Sequence, residues 1–583
     1  MKILRNTLKL LQMPFKSAPV TASAVFLIHI IREIIPIIKI MFMALLIDNI
    51  YGYLLHINAI KFEYICFFLL ITLYEKISPD IEDFFGIKLK NEIWKKYTLE
   101  LIDCWGNAEY TCIENEILYL KFKRIKENIH EQVYRNYINV IGFYALCINI
   151  LVINIYVSFY SAIAGMMMFI MSVFISFISI IGGKIEYKAT VESHEMQVRA
   201  NYLEEILTSK EAAYERQIFS YSKEISEKWK EKYKISSSLK LNAEKRFLQQ
   251  YQSVGIVGTA ISMFMVFLFA TMLIYKEIGY GVFVSLVSNA VTLSKSLSSS
   301  INQHIRNYVK GIEFVEDYND IIKIPREQLI ITDDVKFERI SIRNLRYRYP
   351  NGKYVLDDLN MDIEYGKKYA LIGENGAGKT TLIKVLVGLY RDYEGEILID
   401  GKELKDNPQY YNLFATVFQD YLGYNLSLRD NLTMGLNHHE YDDESLRKVL
   451  EKYGLGYIIG KLHVGLDTIL GKQIEDSDNL SGGEWQKIAL ARMDIDKKCI
   501  KIYDEPTSSL DPISESEVYS KLFSKIQDET FIVISHRLGI ASMVDCIYVL
   551  DKGKIQEKGT VKELIKKDGL FSKMYDNQKE WYS

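Results

Sequence analysis

Gly373-Glu374-Asn375-Gly376-Ala377-Gly378-Lys379-Thr380 is the stretch that decides the reading of this chain. It fits G-x-x-x-x-G-K-[ST] in full. A strand-like run, KYALI (368–372), precedes it, and an apolar-faced helical run, TLIKVLVGL (381–389), follows. That strand–loop–helix context is what the pattern needs in order to cradle phosphate groups. The glycines let backbone N–H groups curl around the anion, Lys379 reaches the β- and γ-phosphates, and the Thr380 hydroxyl is placed to hold Mg²⁺. The helix start adds its dipole.

Downstream, a second strand-like run, Cys499–Tyr503, ends in Asp504-Glu505. Asp504 is placed to bind Mg²⁺, directly or through water. Glu505, one residue on, is placed to polarise an attacking water, which is what phosphoryl transfer to water requires. Lys501 stands oddly inside this run, because strands of such sheets are buried on both faces. Short strand and helix patterns begin near residue 336, so the reading places an α/β nucleotide-binding domain at 336–583 and a linker at 321–335.

Upstream the pattern is different. Six apolar stretches, each near the ~20 residues of a spanning helix, lie at about 19–47, 62–82, 137–158, 160–182, 254–275 and 280–302. Lys- and Arg-rich segments after the second and fourth read as cytoplasmic. Helical spacing of Tyr202, Ile206 and Tyr214 extends the helices beyond the membrane. Residues 1–16 read as an amphipathic helix at the cytoplasmic membrane surface, not a signal peptide, because the small-residue triplet precedes the apolar run. The fold expected for 1–320 is therefore an all-α transmembrane domain with long cytoplasmic helices and both termini inside.

The first span is not clean. His29, Arg32, Glu33 and Lys39 share one helical face with Pro36. Ionisable groups at that depth need partners or water. They read either as the polar wall of a substrate cavity or as intramembrane ion pairs. Ser285, Ser288, Asn289, Thr292, Ser294 and Ser296 in the sixth span fit a wet interior or close helix contacts.

Composition agrees with two unlike halves. The 583 residues carry a net charge of −3, and 13% are aromatic. Disorder is excluded, and nothing basic points to nucleic acid. Nine prolines suit long helices, and six scattered cysteines without C-x-x-C argue against disulfides or zinc.

Leu480-Ser481-Gly482-Gly483-Glu484 stands between the phosphate loop and Asp504. With that loop, it resembles the signature of ATP-binding cassette proteins. Tyr349 matches the family's adenine-stacking aromatic. Gln419 matches the glutamine that contacts the metal and links nucleotide to membrane domain. Ser508-Ser509-Leu510-Asp511 resembles the D-loop, and His536 the switch histidine. The whole chain resembles an exporter-type half-transporter of a bacterial cytoplasmic membrane. The resemblance implies ATP and Mg²⁺ as ligands and Glu505, His536 and Gln419 as catalytic residues. It implies nucleotide contacts from Tyr349, Asn375, Gly376, Gly378, Lys379, Thr380, Thr381, Ser481, Gly482, Gly483 and Asp511. Thr380, Gln419 and Asp504 would hold the metal. It also implies a second cassette, from an identical chain or a different half-transporter, with Ser481–Gly483 acting in the partner's site.

Two features depart from the common pattern. Glu484 replaces the usual glutamine, and Leu470-Gly471-Lys472-Gln473 lacks a Gly-Glu-Arg-Gly run. With VFQDYLGYNLSLRDNL and SGGEWQKIALAR, they resemble exporters of lantibiotics and other modified peptides. A lipid or amphipathic-drug exporter is the alternative, and an ATP-gated channel a third. Thr208–Arg216 and Asn107–Tyr110 are the expected coupling segments, and His438-His439 reads as a solvated loop.

Overall fold

The computed structural model describes residues 2–56, 59, 61–210, 212–327, 336–350, 352–436, 441–471, 478, 480–496, 498–506, 512–523, 529–536 and 538–582. The chain divides into two units. The first holds Met1–Ala108 and Cys112–Arg326; the second holds Glu109–Thr111 and Glu327–Ser583.

The first unit is helical: α1 (Lys2–Ser17), α2 (Pro19–Leu54), α3 (Phe62–Gly106), α4 (Tyr110–Ile113, shared with the second unit), α5 (Glu116–Lys126), α6 (Ile129–Tyr160), α7 (Ala162–Thr208), α8 (Ala213–Phe219), α9 (Ser222–Ile274) and α10 (Tyr280–Ile322). Each of the six apolar stretches coincides with one long helix, except that 160–182 begins two residues before α7 and 254–275 ends one residue past α9. These helices run on past the apolar stretch: α9, at 53 residues, is roughly 80 Å long at 1.5 Å per residue. Among the described residues, Ile129–Tyr160 and Gly255–Ile274 are long and apolar enough by themselves to cross a membrane. Shorter apolar helical segments among them are Ala162–Phe174 and Tyr280–Thr292.

Two apolar cores hold the helices. One packs α1, α2, α3, α5, α6 and α10 around Leu10, Leu89, Tyr97, Tyr137 and Tyr318. The other packs α2, α6, α7, α9 and α10 around Val157, Met168, Phe269 and Leu286. The N-terminal helix departs from the expected surface helix in one respect: Leu10 and Met13 are buried within the unit, and Tyr97 donates to the Met13 carbonyl at 2.8 Å. Leu10 and Met13 are covered by protein, while Leu8 of the same helix is exposed. Tyr202 and Tyr214 are exposed. The expected coupling stretch 208–216 straddles the end of α7 and the start of α8, and Arg216 reaches back to the Ile206 carbonyl at 3.0 Å.

The second unit begins with β1 (Arg339–Arg348), β2 (Tyr354–Glu364), β3 (Lys368–Ile372), α11 (Lys379–Leu386), β4 (Glu394–Ile399), β5 (Lys402–Glu403) and β6 (Phe414–Val417). Helices α12 (Leu428–Thr433), α13 (Asp443–Lys452), α14 (Gly456–Lys461) and α15 (Gly482–Ile495) follow. The unit closes with β7 (Ile500–Asp504), α16 (Pro512–Phe523), β8 (Thr530–Ile534), β9 (Cys546–Asp551), β10 (Lys554–Gly559), α17 (Val561–Lys566) and α18 (Leu570–Tyr582). Four strands form an antiparallel sheet, β2-β1-β4-β5; six form a second sheet, β10-β9-β3-β8-β7-β6. Pairs β9/β3, β3/β8, β8/β7 and β7/β6 are parallel. Helix α11 and the antiparallel sheet cover one side of the six-stranded sheet, with Ile500, Ile502 and Ile534 facing them. Helices α12 to α16 cover the other over Val417, Tyr503 and Val533. Strands buried on both faces read as continuous apolar runs, which is why KYALI and TFIVI (530–534) show no alternation.

Candidate nucleotide site

Four neighbouring parallel strands carry the expected chemistry at their C-terminal ends. The phosphate loop follows β3, His536 follows β8, Asp504-Glu505 ends β7, and Gln419 follows β6. Ligands of open α/β sheets bind at this edge of the sheet. Chain order and spatial order differ, so this convergence is a product of strand pairing alone.

The loop has the backbone its glycines permit. Gly376 and Gly378 have φ of 80° and 104°, conformations that side chains resist. Lys379 turns its ammonium onto its own loop, donating to the carbonyls of Gly373 at 2.7 Å and Glu374 at 2.9 Å. Burial pulls its pKa down, against the Glu505 and Asp504 charges. Thr380 Oγ1 donates to Asp504 Oδ2 at 2.8 Å. Burial pushes the Asp504 carboxyl up; the Thr380 bond opposes this, and the Glu505 charge adds to it. A buried carboxylate and a hydroxyl oxygen in contact, short of positive charge, suit a hard divalent cation. His536 Nε2 pairs with Glu505 Oε1. Glu505 itself has φ of 50°, a region uncommon for residues other than glycine and costing about 1–3 kcal/mol. Nothing in the sequence signals that strain.

Tyr349 stands edge-on to Tyr347 and Tyr390, with centroids 5.5 and 5.6 Å away. Its hydroxyl lies 3.1 Å from Thr381 Oγ1, so it is held beside the loop it was expected to serve. Asn375 and Gln419 are exposed. Asp511 and its neighbours 508–510, Lys472, Gln473, Asn479 and His438-His439 lie outside the described residues.

Ser481 is the N-cap of α15. Its backbone N–H donates to Glu484 Oε2 at 2.7 Å, its hydroxyl contacts the same oxygen at 2.8 Å, and Glu484 N–H returns a bond at 3.3 Å. This reciprocal capping box satisfies two helix-start donors, and it gives Glu484 a local role. Tyr457 on α14 donates to Glu484 Oε1 at 2.6 Å. Partial burial works against the Glu484 charge, but the bonds from Tyr457 and Ser481 outweigh it and hold the carboxyl below its usual range. Tyr457 carried no sequence signal.

Lys501 is resolved by the same helix. It is buried on the α15 side of β7, and its ammonium donates to the carbonyls of Met493, at 2.6 Å, and Asp496, with Glu529 at 4.0 Å. Those carbonyls close the C-terminal end of α15, where helices leave acceptors unpaired and favour a cation.

The first-span residues pair within the first unit. His29 Nδ1 meets Glu82 Oε1 at 2.8 Å, Arg32 meets Glu82 Oε2 at 2.6 Å and Glu33 at 3.6 Å, and Lys39 meets Glu75 at 2.5 Å. Glu82 and Glu75 come from α3 and Glu33 from α2 itself, which is the ion-pair arrangement. A cavity in the same unit, bounded by α5, α6 and α10, is lined by other residues.

Residues 356–508 match the ABC transporter family. These residues form an ATP-binding cassette domain. Along 94% of its length the chain is 26% identical to the subtilin transport ATP-binding protein SpaT of Bacillus subtilis, covering 90% of that protein. It is 31% identical to the nisin transport ATP-binding protein NisT of Lactococcus lactis, over 50% of this chain and 51% of that one. It is also 31% identical to the ATP-dependent lipid A-core flippase of Hahella chejuensis, over 59% of each. A bacterial Atm1-family ABC exporter solved with ATP bound shares the fold, with a TM-score of 0.75 at 17% identity, covering 96% of this chain and 98% of that one. This ABC exporter is thus a membrane protein that binds and hydrolyses ATP to drive transport.

Proposed function

We propose that this exporter moves a peptide, of the lantibiotic or another modified kind, outward across a bacterial cytoplasmic membrane. The observation that carries the reading is the similarity to SpaT, which runs nearly end to end and so includes the membrane half. In this reading the first unit is a six-span domain, both termini are cytoplasmic, and two identical chains work together.

In this reading the residues have the following roles. Loop N–H groups and Lys379 hold the phosphates. Thr380, Asp504 and Gln419 would hold Mg²⁺, which supplies positive charge against the phosphate oxygens. Glu505 orients and polarises the attacking water. His536, paired with Glu505 in the structure, fixes that carboxylate and faces the γ-phosphate. Ser481, Gly482 and Gly483 present the α15 N-terminus to the partner chain's ATP, where aligned N–H donors stabilise phosphate charge. Tyr349 swings from Thr381 to stack on adenine.

The test is mass spectrometry of medium and cells from the native host, wild type against Glu505→Gln. A peptide lost from the medium and retained inside is the expected result. An unchanged peptide profile sinks the reading. The flippase similarity favours a second reading, lipid export, and altered lipid distribution in the same strains would select it.

A further inference from the structure

We infer that the cavity formed by α5, α6 and α10 is a binding site for a short zwitterionic peptide segment, and so the place where cargo is first held. The inference rests on the peptide-export reading and adds a location and a chemical class to it.

The cavity has a volume of about 520 Å³, within the range of small-molecule sites. It lies at one end of the expected spans: its lining comes from 124–139 and 307–317, which overlaps the start of the stretch 137–158 and follows 280–302. Its walls carry amide side chains, from Gln132, Asn136, Asn139 and Asn307 among others. An array of amides both donates and accepts, which suits peptide groups. The Asn139 Nδ2 donor is enclosed and has no hydrogen-bond partner, while its Oδ1 accepts from Asn307 at 3.1 Å. Buried donors left unpaired are rare and call for an explanation.

The charges of the lining balance, with Arg124, Arg135 and Lys310 against Glu131, Glu313 and Asp317. They are not equally occupied. Arg124 pairs with Asp317, and Glu131 with Lys90 outside the cavity. Among the described residues no ion pair engages Arg135, Lys310 or Glu313. Burial pushes the Glu313 carboxyl up; Arg124 opposes this, and Asp317 and Glu316 reinforce it. A ligand cation beside Glu313 would supply the missing countercharge, and a ligand carboxylate would meet Arg135 and Lys310. A bare hydrocarbon cargo would leave Glu313 and the enclosed Asn139 Nδ2 donor unpaired, at a cost that polar groups impose whenever water is displaced without replacement.

The test uses the full chain in lipid nanodiscs and reads ATP hydrolysis against added probe. The probes are acetyl-Lys-Ala-Ala-Glu-amide, the neutral acetyl-Gln-Ala-Ala-Gln-amide, and glycerophosphoethanolamine as a lipid headgroup. Saturable stimulation by the zwitterionic peptide alone is expected. Glu313→Gln should raise its half-stimulating concentration about tenfold, as loss of one charge-assisted bond does. Arg135→Gln, at an exposed side chain that folding does not need, should do the same, and Glu127→Gln, outside the cavity, should not. Equal responses to both peptides, or variants that respond as wild type, overturn the site. Stimulation by the headgroup alone replaces the peptide with lipid. Host strains separate the two claims. If Glu505→Gln stops peptide export and Glu313→Gln does not, the site fails and the export reading stands. If Glu505→Gln changes no exported peptide, the export reading fails and the probe response alone judges the site.

Discussion

At the scale of single residues, the nucleotide site holds charges where they are uncomfortable. Asp504 has its carboxyl pushed up and Lys379 its ammonium pulled down, both by burial. The sign is the same for stability. A carboxyl whose folded value is raised favours folding below its unfolded value and loses that contribution as pH rises through the folded value. At neutral pH a charged Asp504 therefore costs stability. Asp504→Asn should raise the melting temperature of the nucleotide-free protein in scanning calorimetry while ATP hydrolysis is lost. A melting temperature that falls would show the carboxylate to be structural instead. This is the expected trade between stability and a functional site. The phosphate loop, Asp504 and Glu505 were legible in the sequence because their chemistry is set by local backbone and residue type. The Tyr457 bond and the left-handed Glu505 backbone were not. The first depends on a partner far along the chain, and the second on how β7 leaves its sheet.

At the scale of elements, two substitutions that look wrong in a strand and a helix have partners in the next element. Lys501 ties β7 to the C-terminal end of α15, the helix whose N-terminus carries Ser481. Lys501→Met would leave the Met493 and Asp496 carbonyls without that donor, at about 1–3 kcal/mol for a buried unsatisfied group. A fall in melting temperature is the expected outcome, about 2–4 °C per kcal/mol for a domain of this size; an unchanged melt would show that the ammonium is not needed there. In the membrane unit, Glu82 answers both His29 and Arg32. Glu82→Leu should destabilise by about 3–5 kcal/mol, as removing one partner of a buried pair does. The double variant with Arg32→Leu should recover most of that loss in a thermal melt, since coupling between contacting residues is not additive. The helical face bearing His29, Arg32 and Lys39 was legible, but its purpose was not. Helical spacing names the residues on one face and says nothing of the acids that α3 sets against them.

At the scale of the whole molecule, each chain contributes one phosphate loop and one Ser481–Gly483 helix start, and the proposed cycle requires the loop of one chain to meet the helix start of another. Glu505→Gln with Mg·ATP should therefore hold nucleotide trapped between two chains, two per dimer, in purified full-length protein. Single-chain mass by light scattering under those conditions would rule the paired arrangement out. The change from long apolar stretches to short strand and helix patterns near residue 336 was readable in the sequence. Coverage of α1 by other helices was not, because amphipathicity shows that a face must be buried and leaves its partner open, lipid or protein.

The order of strands across the six-stranded sheet also governs when the enzyme comes into being. Strand β8 lies between β3 and β7, although it is made long after β3 and follows β7 in the chain. Until Thr530–Ile534 leaves the ribosome, the half-site with the phosphate loop and the half-site with Glu505 have no strand to join them. The described helices of the first unit precede that moment in synthesis, and domains fold as units in the order they are made. The fuel-burning site therefore assembles only after the membrane unit has been fully synthesised, so a nascent chain does not spend ATP before it has a pathway to drive.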